Sequence, residues 1–181
     1  GIAGAVERGG IEPGGLEGVV IGCAMQQGSS GCTIGRTAGV AAGLPSSVAG
    51  MSMDRQCASG MMAIATAAKQ VISDGMPIVV GGGLDSISLV QNEHRNAYRA
   101  QDPNVIAKSE HAYMSMLETA EIVAKRYNVS RDQMDEYAFQ SQQRTAAAQQ
   151  AGAFDDEIVP MASKMLFMDK DTKQQSVHDT M

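Results

Sequence analysis

The chain has 181 residues, enough for a domain with a buried core, and its 44% hydrophobic and 19% charged residues are ordinary for a soluble globular protein. The formal net charge of −6 argues against a nucleic-acid partner, which would favour a basic surface. No apolar run is long enough to span a membrane, so we expect no membrane partner. The three cysteines, Cys23, Cys32 and Cys57, form no CxxC pair, which argues against a disulfide framework or a metal site and favours the cytoplasm.

Composition changes near residue 90. Nineteen of the 20 glycines lie at or before Gly83, whereas ten charged residues fall in residues 1–90 and 24 in residues 91–181. Glycine-rich, charge-poor sequence suits tightly packed strands, and charge-rich sequence suits exposed helices. We therefore expect an α/β core over residues 1–90 and a largely helical region over residues 91–181. Because the chain starts at Gly1 without Met or a signal region, we interpret it as a fragment.

Strands and helices alternate in the first region. The predicted elements are a helix at 2–8, a strand at 19–21, a helix at 35–42, a strand at 49–55, a helix at 57–74 and a strand at 78–81. Glycines follow each predicted helix, as is common at helix C-termini. Alternation at this spacing implies right-handed crossovers and a mainly parallel sheet.

The second region predicts two helices, one at 118–127 and one that begins after Ser130 and ends at Gly152. Ser130 and Gln133 match a capping box, in which each side chain pairs with the other residue's backbone N–H. A packing stripe is expected at Met134, Tyr137, Ala138, Ser141, Thr145 and Ala148. The polar tail from Asp169 is interpreted as one half of an unfinished hairpin.

Cys57 is the candidate nucleophile, since it lies where a strand meets the N-terminus of a long helix. A thiol there meets the positive end of the helix dipole and unpaired N–H groups, which favour the reactive thiolate and can hold an oxyanion. The small residues 58–60 leave room for a substrate. The dipole contributes only about 0.3–1 kcal/mol, so efficient attack also needs a base. A buried, unreactive cysteine is the alternative interpretation.

The other candidate groups are weaker. His94, His111 and His178 lie in polar surroundings and are interpreted as solvated surface residues, so no convincing base for Cys57 is present. The glycines around residues 28–31 lack the Gly-Lys-Ser/Thr ending of a phosphate loop, and those at 81–83 open no helix, so neither predicts a nucleotide site. Cys23 and Cys32 are interpreted as small packing residues.

An ordered set of short motifs runs through nearly the whole chain. They are Gly22–Gln26, Gly28 with Arg36, Ala41–Pro45, Arg55–Gly60, Gly82–Ser88, Met116–Glu121, Ser130–Asp135, Ala146–Gln150 and Gly152 through Pro160. In this order they resemble the thiolases, a family that includes acetyl-CoA acetyltransferases and 3-ketoacyl-CoA thiolases, and Arg55–Gly60 resembles the nucleophile motif.

The resemblance implies a thiolase-like N-terminal half, a mainly parallel βαβαβ sheet with a largely helical loop-domain insertion. It implies an acyltransferase of fatty acid metabolism in which Cys57 takes an acyl group from an acyl-CoA as a thioester. That group then passes to coenzyme A or to an acetyl-CoA carbanion, with coenzyme A as substrate and no separate cofactor. Met116 matches a methionine near the acyl pocket, and Met51 to Arg55 match a strand that pairs across a homodimer.

Several positions depart from the family pattern. Asp54 stands where the family usually has Asn, Asp85 where it has Glu, and Ser115 where some members have His. The segment between Ser88 and Thr119 looks shorter than in tetrameric members, so the resemblance supports a dimer and leaves a tetramer open.

The second half of the family pattern does not occur here. The family's Gly-His-Pro base, Asn-Glu-Ala-Phe motif and Cys-Gly-Gly motif are absent, and the first strand of the fold is expected before Gly1. The chain alone is therefore expected not to turn over acetoacetyl-CoA. Two other interpretations stay open: a ketoacyl-synthase-like condensing enzyme, and a non-catalytic dimerising fragment.

Overall fold

The computed structural model describes residues 1–180 and divides the chain into two compact units. The first covers Gly1–Tyr98 and the second begins at Arg99, whereas the change in composition lies near residue 90. Residues 91–98 belong to the first unit, and within it the Asn96 N–H donates to the side-chain carbonyl of Gln27 at 2.8 Å.

The first unit alternates strands and helices. Its elements are α1 (Ile2–Arg8), β1 (Gly18–Gly22), α2 (Ile34–Ala41), β2 (Ala49–Met53), α3 (Ser59–Ser73), β3 (Val79–Gly83) and α4 (Ile87–Val90). All six predicted elements are present, with ends that differ by one or two residues, and α4 is an addition.

The three strands form one sheet in the order β2-β1-β3, and both pairs are parallel. Val20 of β1 lies opposite Met51 of β2 and Gly81 of β3. The predicted parallel α/β architecture is confirmed. All three strands end at the same edge of the sheet, where α/β proteins usually bind their ligands.

The hydrophobic core surrounds β1, which is buried along its whole length. Val19 and Ile21 pack on one face of the sheet and Val20 on the other, as the period of two along a strand requires. The first cluster also holds Val6, Leu16, Leu44 and Val48, and the second holds Ala63 and Ala67. Burying each valine or isoleucine side chain contributes about 1.5–3 kcal/mol.

Glycines let two helices lie directly on the strands. A Cβ at Gly22 of β1 would overlap the backbone of Ser59 at the start of α3, and one at Gly35 of α2 would overlap the Met51 carbonyl of β2. The Gly35 N–H also donates to the Ser52 hydroxyl at 2.9 Å. The start of α3 is therefore held against the end of β1.

The second unit consists of helices and a hairpin. Its elements are α5 (Pro103–Lys108), α6 (Met116–Arg126), α7 (Arg131–Gln150), β4 (Ser163–Met168) and β5 (Gln175–Thr180). The capping box at Ser130 is confirmed, and α7 ends before Gly152, which adopts a left-handed φ of +70°. A second capping box, Ser115 with Glu118, starts α6 two residues before the predicted helix.

Two expectations for the second unit are wrong. The tail from Asp169 does not belong to an unfinished hairpin: it supplies the turn and the second strand of a complete antiparallel hairpin, in which β5 pairs with β4 and Ser163 lies opposite Thr180. The predicted stripe on α7 is not buried: Met134 is 42% and Tyr137 74% exposed. Between Arg99 and Thr180 no residue is buried, so the helix has no partner there against which to pack. Among residues 1–180, no helix is both long and apolar enough to cross a membrane.

Candidate active site

The candidate nucleophile lies in a tight turn between β2 and α3. The Asp54 carboxylate accepts a hydrogen bond from the Gln56 N–H at 2.7 Å. The Ser59 hydroxyl accepts from the Arg55 N–H at 2.8 Å and donates to the Gln56 carbonyl at 2.6 Å. Gln56 takes a left-handed φ of +49°, which is uncommon for a residue with a side chain. These contacts fix the backbone on both sides of Cys57.

The helix does not begin at Cys57, as the sequence suggested, but at Ser59 with Ala58 as its N-cap. The left-handed Gln56 is the reason, because it turns the chain sharply before a helix can form. Cys57 is exposed, which removes the alternative of a buried packing thiol in this chain. Cys57 still lies within one turn of the N-terminus of α3, close to the positive end of the helix dipole.

The expected oxyanion donors need one correction. The Ala58 N–H already donates to the Arg55 carbonyl at 3.1 Å, and the Ser59 N–H to the Gln56 carbonyl at 3.0 Å. These two groups therefore serve the turn and are not free for a substrate oxygen. The next two N–H groups, of Gly60 and Met61, belong to the first helical turn, where N–H groups lack intrahelical acceptors, whereas the Met62 N–H already donates to the Ala58 carbonyl at 2.9 Å.

Asp85, just after β3, is a residue whose role the sequence reasoning missed. Its carboxylate lies 3.3 Å from the Cys23 sulfur and accepts hydrogen bonds from the N–H groups of Ala24 and Met25 at 3.3 and 3.0 Å. A carboxylate directly after a parallel strand is the signal that could have drawn attention to it.

The three cysteines lie in different environments. Cys23 is buried, and burial raises the pKa of its thiol above the ordinary value. The Met25 N–H acts in the opposite direction, while the hydrogen bond to Asp85 raises the pKa further. Cys32 is exposed, with a left-handed φ of +49°, so its interpretation as a packing residue is wrong. Only Cys32 and Cys57 are therefore accessible to a reagent or substrate.

All three histidines are exposed, as expected. The side chain of His94 is 83% exposed and lies 3.6 Å from the Glu93 carboxylate. His178 Nε2 is 2.9 Å from the Ser176 hydroxyl, and its ring packs edge-to-face on Phe167.

Met116, the expected acyl-pocket residue, is the first residue of α6 in the second unit and is 74% exposed. Close to it in sequence, a polar cavity of about 300 Å³ is lined by Gln101, Ile106, Glu110, His111, Tyr113, Met114 and Glu118. Met116 is not among these lining residues.

Another cavity, of about 230 Å³, lies in the first unit near Gly18, Ala49 and Met76. Gly18 and Ala49 are the first residues of β1 and β2, so this cavity is at the opposite end of the strands from Cys57. Within residues 1–180, no group of three or more His, Cys, Asp or Glu side chains is placed to hold a metal ion.

Known proteins share both the sequence and the fold. The family model described as "Thiolase, N-terminal domain" matches residues 1–181. The beta-ketoadipyl-CoA thiolase of Pseudomonas putida is 40% identical over 157 residues, which are 79% of this chain and 39% of that protein. The 3-ketoacyl-CoA thiolase of Bacillus subtilis is 35% identical over 170 residues, covering 93% of this chain and 42% of that protein.

A solved structure agrees with these relatives. The crystal structure of the Bacillus anthracis acetyl-CoA acetyltransferase matches with a TM-score of 0.70 and 32% identity, over 97% of this chain and 45% of that chain. The chain thus spans less than half the length of the proteins that it matches. Because the family model matches along the whole sequence and relatives are 35–40% identical, the chain belongs to the thiolase family.

Proposed function

We propose that this chain carries the nucleophile of an acyl-CoA acyltransferase and that Cys57 is the residue acylated. One observation carries the proposal. Cys57 is an exposed thiol on a rigid turn at the N-terminus of α3, at the edge of the sheet where the parallel strands end. The other exposed thiol, Cys32, also directly precedes the N-cap of a helix, but in that helix, α2, the N–H groups of Gly35 and Arg36 already donate to the Ser52 hydroxyl and the Thr33 carbonyl. Cys57 precedes the longer helix α3, whose first-turn N–H groups can stabilise an oxyanion.

In the proposed reaction the Cys57 thiolate attacks the thioester carbonyl carbon of an acyl-CoA or the C3 ketone carbon of a 3-ketoacyl-CoA. In the first case the carbon–sulfur bond breaks and coenzyme A leaves as its thiolate. In the second case the bond between C2 and C3 breaks and acetyl-CoA leaves as its C2 carbanion, and each leaving group takes up a proton. The acyl group stays on Cys57 as a thioester. It then passes to coenzyme A in thiolysis, or to an acetyl-CoA carbanion in condensation.

These steps require a base for the thiol proton and another for the acetyl α-carbon. The three histidines are exposed, and none belongs to a motif that resembles the family's base. We propose that the base comes from residues that this chain does not contain. The chain alone should then be acylated only slowly, with water taking the thiol proton, and should show no catalytic turnover.

The binding partners follow from the same proposal. Coenzyme A and its acyl thioesters are the substrates, with no separate cofactor, and Met116 contributes to the acyl pocket. β2 pairs with β1 along one edge, and its other edge pairs with no strand of the described residues. We propose that residues Met51 to Arg55 along this edge form a homodimer in the cytoplasm.

The test of the nucleophile incubates the folded chain with acetyl-CoA and locates the acetyl group by peptide mass spectrometry. Cys57→Ser and Cys32→Ser are the matched variants, because both parent thiols are exposed. We expect acetylation of Cys57 in the parent and in Cys32→Ser, and its loss in Cys57→Ser. Acetylation of Cys32 at an equal or greater rate, or of no cysteine, would contradict the proposal.

Thiolysis of acetoacetyl-CoA by the same samples tests the position of the base. We expect no turnover above a Cys57→Ala background. Rapid thiolysis that Cys57→Ala abolishes would show that the base lies within this chain and would make it a complete catalyst.

A further inference from the structure

We infer that Asp85 is a positioning residue, which holds the turn bearing Cys57 through the segment that follows β1. The inference rests on the proposal that Cys57 is the nucleophile. It assigns Asp85 no contact with a substrate; the carboxylate acts through the backbone of residues 23–25 and the end of β2.

Asp85 contacts three residues that follow β1. Its two carboxylate oxygens lie within hydrogen-bond distance of the Cys23 thiol, the Ala24 N–H and the Met25 N–H, at 3.3, 3.3 and 3.0 Å. These three consecutive residues follow the last residue of β1. Hydrogen bonds to a charged acceptor are stronger than neutral ones, so one carboxylate fixes the whole segment beside the end of β3.

The segment that Asp85 contacts is joined to the turn of Cys57. The Cys23 N–H donates to the carbonyl of Met53, the last residue of β2, at 2.9 Å. Met53 is followed by Asp54, whose carboxylate holds the Gln56 N–H one residue before Cys57. A continuous chain of hydrogen bonds and peptide units therefore runs from Asp85 to the nucleophile.

A second route passes through the glycines at the same edge. The Leu84 N–H donates to the Gly22 carbonyl at 3.0 Å, so the residue before Asp85 is tied to the end of β1. A Cβ at Gly22 would overlap Ser59, and one at Gly83 would lie 2.9 Å from the Gly60 Cα. Because α3 touches both strand ends through backbone atoms, a shift of either strand end must shift the start of α3.

The state of Cys23 fits this role. The thiol is buried, and its raised pKa keeps the proton that it donates to Asp85 at neutral pH. Cys23 thus acts as a hydrogen-bond donor at the edge of the site, and its sulfur is not available as a second nucleophile.

The experiment measures the rate of iodoacetamide labelling at each cysteine by peptide mass spectrometry in the folded chain. The variants are Asp85→Asn, which removes the charge and one of the two acceptor oxygens, and Asp85→Glu, which keeps the carboxylate. Asp74→Asn is the matched control, since it removes an exposed carboxylate at the far end of α3. Circular dichroism establishes that each variant is folded.

We expect Asp85→Asn to slow labelling of Cys57 about fivefold or more, while Asp85→Glu and Asp74→Asn stay within about twofold of the parent; fivefold corresponds to about 1 kcal/mol. Labelling of Cys32 should not change. Faster labelling of all three cysteines in Asp85→Asn would show a general loosening of the fold and would overturn the positioning role. An unchanged Cys57 rate in folded Asp85→Asn would overturn it too.

If Asp85→Asn does not fold, Cys23→Ala decides the question, because it removes one of the three donors and leaves the two N–H groups. We expect it to slow Cys57 labelling by about threefold, a partial effect of the same sign that lies outside the range expected for the controls, and a rate within about twofold of the parent would contradict the inference. If instead Cys57 is not the nucleophile, the result is different: in the parent chain itself, Cys57 would be labelled no faster than Cys32.

Discussion

The two units of this chain are stabilised by different kinds of interaction. In the first, β1 is buried along its length and helices lie against the sheet through glycine contacts. In the second, α6 and α7 each begin with a complete capping box, yet no residue from Arg99 to Thr180 is buried. One unit is held by its core, the other by local hydrogen bonds.

The two units therefore derive their stability from different interactions. Caps contribute about 0.5–2 kcal/mol and side-chain pairs along a helix about 0.2–0.5 kcal/mol each. An isolated helix as short as the 11-residue α6 is marginal in water. Core side chains contribute more, and they couple elements that are distant in sequence. We therefore expect the first unit to unfold as one cooperative body and the second to open locally, element by element.

The largest effect should come from the core of the first unit. Ile21→Ala removes a side chain that is 4% exposed, and we expect it to reduce the free energy of opening by about 2–5 kcal/mol. Hydrogen exchange of the β1 amides under native conditions measures this. Leu117→Ala is the matched change in the second unit, where Leu117 is 82% exposed, and should alter stability by less than about 0.5 kcal/mol. Equal losses of stability in the two variants would contradict the conclusion that a buried core stabilises the first unit and not the second.

The next effect concerns the contact between β1 and α3. Gly22→Ala places a methyl group against the Ser59 backbone, and we expect about 1–3 kcal/mol of destabilisation together with slower labelling of Cys57. Gly15→Ala is the control, because a Cβ there meets nothing within 4 Å. Urea unfolding followed by circular dichroism measures both variants. A Gly22→Ala protein as stable as Gly15→Ala would show that α3 does not depend on this contact.

A smaller effect is expected at the caps of the second unit. Ser130→Ala removes the hydroxyl that accepts the Gln133 N–H at 3.2 Å, which should cost about 0.5–2 kcal/mol. Because α7 has no buried face, we expect faster hydrogen exchange along the helix rather than at its first turn alone. Ser130→Asp, which keeps an acceptor at the N-cap, should retain protection. Unchanged exchange in Ser130→Ala would mean that α7 is stabilised by something other than its cap.

The smallest effect is a pH dependence in the first unit. Folding raises the pKa of the Cys23 thiol, so the unfolded state loses its proton first. The associated stability is present below about pH 8.5, the ordinary cysteine value, and is lost as pH rises through the folded value. Comparing urea midpoints at neutral and alkaline pH, we expect the parent to lose more stability than Cys23→Ala. Parallel losses would show that Cys23 titrates alike in both states.

Much of the first unit could be predicted from local sequence. Short apolar runs and the glycines that follow the helices located the three strands and the helices α1 to α3 to within two residues, whereas α4 was not predicted. The exact start of α3 could not be predicted, because a left-handed Gln56 carries no local signal and depends on the Asp54 and Ser59 side chains folding back on the turn.

The remaining differences arise from contacts between distant residues. The packing stripe on α7 was predicted from the spacing of its apolar and small residues. That spacing identifies the side of the helix that could pack, but it does not show whether another element is present to pack against it. The exposure of Cys32 and the contacts of Asp85 with Cys23, which are 62 residues apart in sequence, likewise follow from tertiary structure. The assignment of Cys57 as the nucleophile came from the family motifs. A cysteine near the start of a helix is, by itself, equally consistent with a buried packing residue.

The most direct test of the account is the competition among the three thiols of the folded parent chain for a limiting amount of iodoacetamide. Cys57 and Cys32 are both exposed and Cys23 is buried, so exposure alone predicts equal labelling of the first two. If the turn at the N-terminus of α3 activates its thiol, Cys57 is labelled first, Cys32 more slowly and Cys23 hardly at all, and unfolding in urea removes the difference. Labelling of Cys32 at the same rate as Cys57, or faster, would contradict the assignment of Cys57 as the nucleophile.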